Sequence, residues 1–172
     1  LVRLAVFGLC AAGAMVLLIR RAQALMEAAG DDGDFDALCQ QLHRYQATLR
    51  TCFTLENFDN LIKNGRMRPI VGTLLRSLGI HIIADATAEG TIHVADKARG
   101  VGKTYRAITA LMKASKDCTD AEVVISHCEN LEGAMALKRQ ILADLPVKQV
   151  DLLSCRGLTS FYAMEKGLIV GY

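Results

Sequence analysis

The chain has 172 residues and a formal net charge of +2, with 52% hydrophobic and 22% charged residues. That length buries one respectable core without covalent staples, and so small a charge excess excludes recognition of a polyanion by charge alone. Aromatic residues are 5% with no Trp, which removes the interleaved basic and aromatic pattern of single-strand binders, and no nucleic-acid partner is expected.

The predicted elements begin with Arg3–Leu9, a short buried strand, and a small-residue turn over Cys10–Gly13. Met15, Val16, Ile19, Ala22 and Met26 then recur at helical spacing. The stretch Leu4–Ile19 carries no charge, but a membrane span needs about 17 to 25 residues, more than this run supplies. It reads as a strand passing into a helix, without stable membrane insertion. The chain does not start with Met, which suggests that it begins inside a longer one.

Gly30–Asp34 is a loop of turn formers, and Asp34 is placed to cap a second helix whose face is Phe35, Leu38, Cys39, Leu42 and Leu49. Thr48–Thr54 is strand-compatible. A short helix follows, capped by Thr54, running through Ile62 and stopped by Asn64 and Gly65. Pro69–Leu78 is predicted as another short helix. Ile80–Ala84 and Thr91–Ala95 form a hairpin about Glu89 and Gly90.

Val101, Tyr105, Ile108 and Met112 stripe the next helix, Glu122–His127 is a buried strand, and Leu131, Ala134, Met135, Ile141 and Leu142 stripe the helix after it. Val147–Leu153 and Leu168–Val170 close the chain as strands. Strands alternating with helices make an α/β fold, and the hairpin makes the sheet mixed, with helices packed on it. Residues 50–172 are expected to be this mixed-sheet C-terminal domain. Residues 1–49 are expected to be a strand-helix-helix remnant of an N-terminal α/β domain.

Several constellations bear on chemistry. The six cysteines show no CxxC pair and no Cys/His metal spacing, so they read as reduced core thiols, with no metal and no cofactor expected. Gly100-Val101-Gly102-Lys103-Thr104 resembles the end of a phosphate-binding loop, but the first glycine of G-x-x-x-x-G-K-[ST] would fall at Lys97. A phosphotransferase using Lys103 and Thr104 therefore stands only as an alternative. His127 ends a buried strand without an adjacent nucleophile, as a hydrogen-bonded core histidine would. Lys63, Arg66, Arg68 and Arg76 form one basic group, and Lys97, Arg99, Lys103 and Arg106 another; either could be a docking face.

Four strings carry a family resemblance. Leu55-Glu56-Asn57-Phe58 through Leu61-Ile62-Lys63-Asn64-Gly65-Arg66 is similar to the "L-x-x-L-x-x-G-G-R" segment of the DegV family, with Asn64 at the first Gly. Lys97-Ala98-Arg99-Gly100 resembles its "K-x-R-G", and Ile125-Ser126-His127 its "I-x-H". Gly157-Leu158-Thr159-Ser160-Phe161-Tyr162-Ala163 and the closing Gly167–Tyr172 resemble the terminal segment of one branch, with Tyr162 and Ala163 where many members carry His. In front, Phe7-Gly8-Leu9-Cys10-Ala11-Ala12-Gly13-Ala14-Met15 aligns on "D-S-L-x-x-G-x-x-M".

The resemblance implies a carrier rather than an enzyme. A long-chain fatty acid would lie in an apolar slot, its carboxylate presented to the catalytic subunit of a separate, ATP-dependent fatty acid kinase in the cytoplasm. The ligand-binding residues implied are Gly8, Leu9, Gly13, Met15, Arg66, Phe161 and Tyr162, with Arg66 and Arg99 as docking residues. In the family the Ser of the front motif helps hold the carboxylate. Here that position is Gly8 and the acidic one is Phe7, a loss of one hydrogen bond to a charged group worth roughly 1.5–3 kcal/mol. Backbone N–H groups at a helix start led by Gly13 could still attract an anion. A diverged relative that keeps the fold without binding ligand is the second alternative.

Overall fold

The computed structural model describes residues 7–30, 33–65, 67, 79–86 and 92–172. In chain order the elements are α1 (Phe7–Ala29), α2 (Phe35–Thr48), β1 (Thr51–Leu55), α3 (Asp59–Lys63), β2 (Ile80–Ala86), β3 (Ile92–Arg99), α4 (Val101–Ser115), β4 (Glu122–His127), α5 (Leu131–Asp144), β5 (Gln149–Ser154), α6 (Gly157–Ala163) and β6 (Leu168–Gly171). The six strands form one sheet in the order β3-β2-β1-β6-β4-β5. Only β4 and β5 run parallel, joined across α5; the other pairs are antiparallel. The expected mixed sheet with packed helices is present.

Local chemistry accounts for most boundaries. Asp34 accepts from the N–H groups of Asp36 and Ala37 at 2.9 and 3.3 Å, so α2 starts where a side-chain cap is available. Gly65 takes φ +67° directly after α3, the left-handed conformation that stops a helix cheaply at glycine. The hairpin of β2 and β3 is in register from Ile80↔Arg99 to Ala86↔Ile92, with an irregularity at Ile83/Ala84. Its expected turn at Glu89 and Gly90, and the helix expected over Pro69–Leu78, lie outside the described residues.

Two expectations are corrected. Phe7–Leu9 is helical rather than extended, and Cys10–Gly13 lies within the same helix α1 rather than in a turn. A continuous apolar run does not distinguish strand from helix by periodicity, and the interior Gly13 reads as punctuation when its actual reason is packing. Thr54 caps nothing: it belongs to β1, and α3 begins after Phe58 with no side-chain cap. The element α6 was not foreseen as a helix, because seven residues hold too few turns to display a stripe.

Strand alternation divides the core. One face carries Cys52, Ile83, Val123, Ile125, Leu168 and Val170, covered by α4 and α5 through Ile108, Met112, Leu137 and Ile141. The other face carries Phe53, Leu55, Ile82, Ala84 and Ile169, with α3 and α6 supplying Leu61 and Ala163. Helix α1 lies on this second face, over β6, β4 and β1, and beside α6. Polar ties fasten the ends. Arg20 Nη1 meets Asp151 Oδ2 at 2.6 Å, Thr109 Oγ1 donates to Asp144 Oδ2 at 2.7 Å between α4 and α5, and the Tyr172 and Ser115 hydroxyls meet at 2.7 Å.

Candidate functional site

The second core lies on the face that bears α1, α3 and α6. Leu55, Phe58, Leu61 and Met67 are buried there, whereas Ile62, Ile80, Ile92, Val94 and Tyr162 pack against them while remaining half-buried. Partly exposed apolar side chains beside a buried core are the setting that an apolar ligand requires.

Helix α1 closes one side of this face by unusually close approach. A Cβ on Gly13 would stand 2.7 Å from the Val124 carbonyl oxygen and 2.9 Å from the Gly171 nitrogen. A Cβ on Gly171 would run into the backbone nitrogen of Ala14 and come within 2.5 Å of the Gly13 carbonyl carbon. Helix and strand backbones therefore touch, which only paired glycines permit. Gly13 thus anchors the helix, and the anion-binding helix start expected there does not exist, because α1 runs through it.

The other sequence-predicted residues fall as follows. Gly8 and Leu9 lie in the first described turn of α1, and Met15 is 37% exposed. Phe161 and Tyr162 lie on α6, which packs beside α1. Their rings meet edge to face at 5.1 Å, and Asn60 donates to the Phe161 carbonyl at 2.7 Å, tying α6 to α3. Arg66 lies outside the described residues. Arg99 is exposed at the end of β3, the edge strand beside β2, where it pairs with Ile80. Lys97, Lys103 and Arg106, near it in sequence, are exposed as well.

Reactive groups near the open face are quiet. Cys155 N donates to the His127 carbonyl at 2.7 Å, continuing the β4–β5 pairing, so that Cys128 and Cys155 become neighbours. Burial and the adjacent Cys128 thiol push Cys155 up to about 11, which keeps it a thiol at neutral pH and a poor nucleophile. His127 is buried, and its Nδ1 accepts from the Asn130 N–H at 3.3 Å, the hydrogen-bonded core role expected of it. Among the described residues no group of three His, Cys, Asp or Glu could hold a metal. No described helix is long and apolar enough to cross a membrane.

The phosphate-loop alternative loses its geometry. Gly100 takes φ +86° ahead of α4, but Thr104 Oγ1 donates to the Gly100 carbonyl at 3.1 Å, and the preceding strand is the antiparallel edge strand β3. A phosphate loop follows a strand that leads into a crossover helix, with its hydroxyl free for a metal.

Sequence reasoning passed over one polar atom on this face. Ser126 alternates with Val124 on β4, so it shares the side that receives Gly13; it is 1% exposed and its Oγ has no hydrogen-bond partner. Because an unpartnered buried hydroxyl costs about 1–3 kcal/mol, Ser126→Ala is expected to raise stability by about 1 kcal/mol. Urea unfolding of the two proteins checks this, as a higher midpoint at unchanged slope.

Comparison with known proteins places these features in context. The family model described as uncharacterised protein, DegV family, matches residues 9–168. A DegV domain-containing protein of Streptococcus gordonii is 31% identical over 165 residues, which cover 95% of this chain and 57% of that protein. Among solved structures, the Streptococcus pneumoniae Fatty Acid Kinase (Fak) B3 protein loaded with linoleic acid superposes with a TM-score of 0.83 at 30% identity, over 93% of this chain and 56% of its own. A DegV family protein of Eubacterium eligens loaded with heptadecanoic acid gives a TM-score of 0.83 at 25% identity, over 91% of this chain and 55% of its own. The chain thus spans a little over half the length of the proteins it matches.

Proposed function

Because this chain belongs to the DegV family, we propose that it is part of a fatty-acid carrier: the open aliphatic face holds a long-chain acyl group, and the carboxylate stays accessible to a separate fatty acid kinase. The observation that carries this reading is the set of half-buried Ile62, Ile80, Ile92, Val94 and Tyr162 packed against the buried core of Phe53, Leu55, Phe58 and Leu61. It is joined to a likeness with solved structures that are loaded with linoleic and heptadecanoic acid. Burial supplies the affinity at about 0.8 kcal/mol per CH₂. The protein binds and presents, and the kinase does the chemistry, in the cytoplasm.

Under this reading Gly8 and Leu9 stand near the carboxylate, Phe161 and Tyr162 near the acyl chain, and Arg66 and Arg99 contribute to kinase docking. Residues 1–49 then continue an upstream domain and residues 50–172 form the C-terminal one. The second reading, a relative that keeps the fold without binding ligand, is favoured by one observation: Phe7 and Gly8 occupy the acidic and Ser positions of the front motif.

Organic extraction of the purified chain followed by mass spectrometry separates the two. Near-stoichiometric fatty acid, or its uptake on addition to delipidated protein, is expected of a carrier. Folded protein that is free of lipid and takes up none would establish the ligand-blind relative instead.

A further inference from the structure

The ends of β4 and β5 bring two free thiols, Cys128 and Cys155, side by side. The last paired residues of these parallel strands are His127 and Ser154. Beyond them the Cys155 N–H donates to the His127 carbonyl at 2.7 Å, the bond that a parallel ladder makes when the next two residues stand opposite one another. Strand alternation turns both side chains to the same face, and both pack half-buried against the second core. Neighbouring strands lie about 4.8 Å apart, inside the window of about 4.4–6.8 Å between Cα atoms that a disulfide spans.

Helix α6 begins and ends at this pair. From Cys155 the chain passes through Gly157–Ala163 and returns to Cys128, where the Lys166 N–H donates to the Cys128 carbonyl at 2.9 Å and the Cys128 N–H to the Gly167 carbonyl at 3.0 Å. The return is strained. Lys166 takes φ +62°, and Met164 combines φ +52° with ψ −177°, backbone that a residue with a side chain keeps only where its surroundings hold it. The hydrogen bonds to Cys128 are part of that holding.

We propose that Cys128 and Cys155 are a redox-sensitive modification site: a low-molecular-weight disulfide oxidises them to a Cys128–Cys155 disulfide, which clamps α6 at its base. One cysteine, as its thiolate, attacks a sulfur of the reagent and expels one thiol; the other cysteine then attacks the mixed disulfide and expels the second. One S–S bond forms in the protein and one breaks in the reagent, with two electrons and two protons passing to the two released thiols. Burial and the neighbouring Cys128 hold Cys155 up at about 11, so the cross-link forms slowly. The same shift means that the reduced pair gains nothing from a stabilised thiolate, the feature that makes some protein disulfides strong oxidants. The clamp acts on α6 itself and does not depend on whether the protein binds an acyl chain.

The test incubates the full chain with glutathione disulfide, alkylates the remaining thiols and maps the peptides by mass spectrometry without reduction. An intramolecular Cys128–Cys155 cross-link is expected as the principal disulfide, forming over minutes to hours and reversed by dithiothreitol. Amide hydrogen exchange on the oxidised and reduced proteins then reads α6. The amides of Leu158–Met164 are expected to exchange at least about tenfold more slowly when oxidised, a fraction of what a cross-link can contribute. Cys128→Ser and Cys155→Ser each remove both effects, whereas Cys39→Ser, on α2, leaves both intact. Absence of the Cys128–Cys155 peptide pair, preferential bonding of other cysteines, bonding between two molecules instead of within one, or equal exchange of α6 in the two redox states would each overturn the proposal.

Discussion

Gly13→Ala is expected to destabilise the chain by about 1–3 kcal/mol, a fall in melting temperature of about 2–12 °C for a protein of this size. The sign is what makes the experiment informative. In an ordinary helix interior the same change stabilises by up to about 1 kcal/mol, because alanine loses less backbone entropy than glycine. At Gly13 the new methyl would meet two backbone atoms, the Val124 oxygen at 2.7 Å and the Gly171 nitrogen at 2.9 Å, and neither can rotate away. The helix has to lift off β6, separating α1 from the sheet and loosening its contact with α6. Gly171→Val, which drives a larger group into Ala14 and Gly13 from the strand side, should fall at or beyond the upper end of that range. Gly102 in α4 has nothing within 4 Å of its would-be Cβ, so Gly102→Ala serves as the control and should be neutral or slightly stabilising. Differential scanning calorimetry of the four proteins reads all of this, and a Gly13→Ala protein as stable as the parent would mean that α1 does not sit where it is described.

The second large effect concerns the ligand. Gly8→Ser is expected to tighten fatty-acid binding about 10- to 150-fold, the equivalent of regaining one hydrogen bond to a carboxylate worth about 1.5–3 kcal/mol. Gly8 lies in the first described turn of α1, where the resemblance puts the family's serine. Displacement of a fluorescent fatty acid gives the affinity ratio directly. Varying chain length in the same assay separates the two ends of the molecule: affinity should rise about fourfold per added CH₂ in both proteins, since 0.8 kcal/mol per CH₂ comes from the slot and not from the serine. An unchanged affinity with the length dependence intact would move the carboxylate away from α1.

Much of the architecture is legible without coordinates. The run Glu122–His127 alternates no polar residue into its middle, and it is the interior strand β4 between β6 and β5, buried on both faces. Asp34 ahead of Phe35 and Gly65 after Lys63 announce the start of α2 and the end of α3 by side-chain and backbone chemistry that acts within a few residues. Where the reading failed, the deciding partner was distant in sequence. Phe7–Gly13 is composed of residues that suit a buried strand or a buried helix equally, and Gly13 signals a turn unless one knows that Gly171 lies beneath it. Thr54 is a good helix cap in isolation, but pairing with Ile83 and Leu168 on either side holds it extended.

The candidate site divides in the same way. Family strings marked Phe161 and Tyr162, and α6 carries them beside α1. No local pattern could reveal that Arg99 lies on the far edge strand, or that the hydroxyls of Thr54 and Ser126 are buried without partners. By itself, then, the sequence determined the family, the mixed α/β class and the order of nearly every regular element, because periodicity, caps and stop signals are short-range properties of adjacent residues. The tertiary structure alone decided that Phe7–Ala29 is one helix locked onto the sheet by two glycines, which apolar side chains stay partly exposed beside the second core, and which polar atoms are left unsatisfied. Each of those outcomes depends on what stands opposite a residue across the fold, and that is set by packing rather than by sequence neighbours.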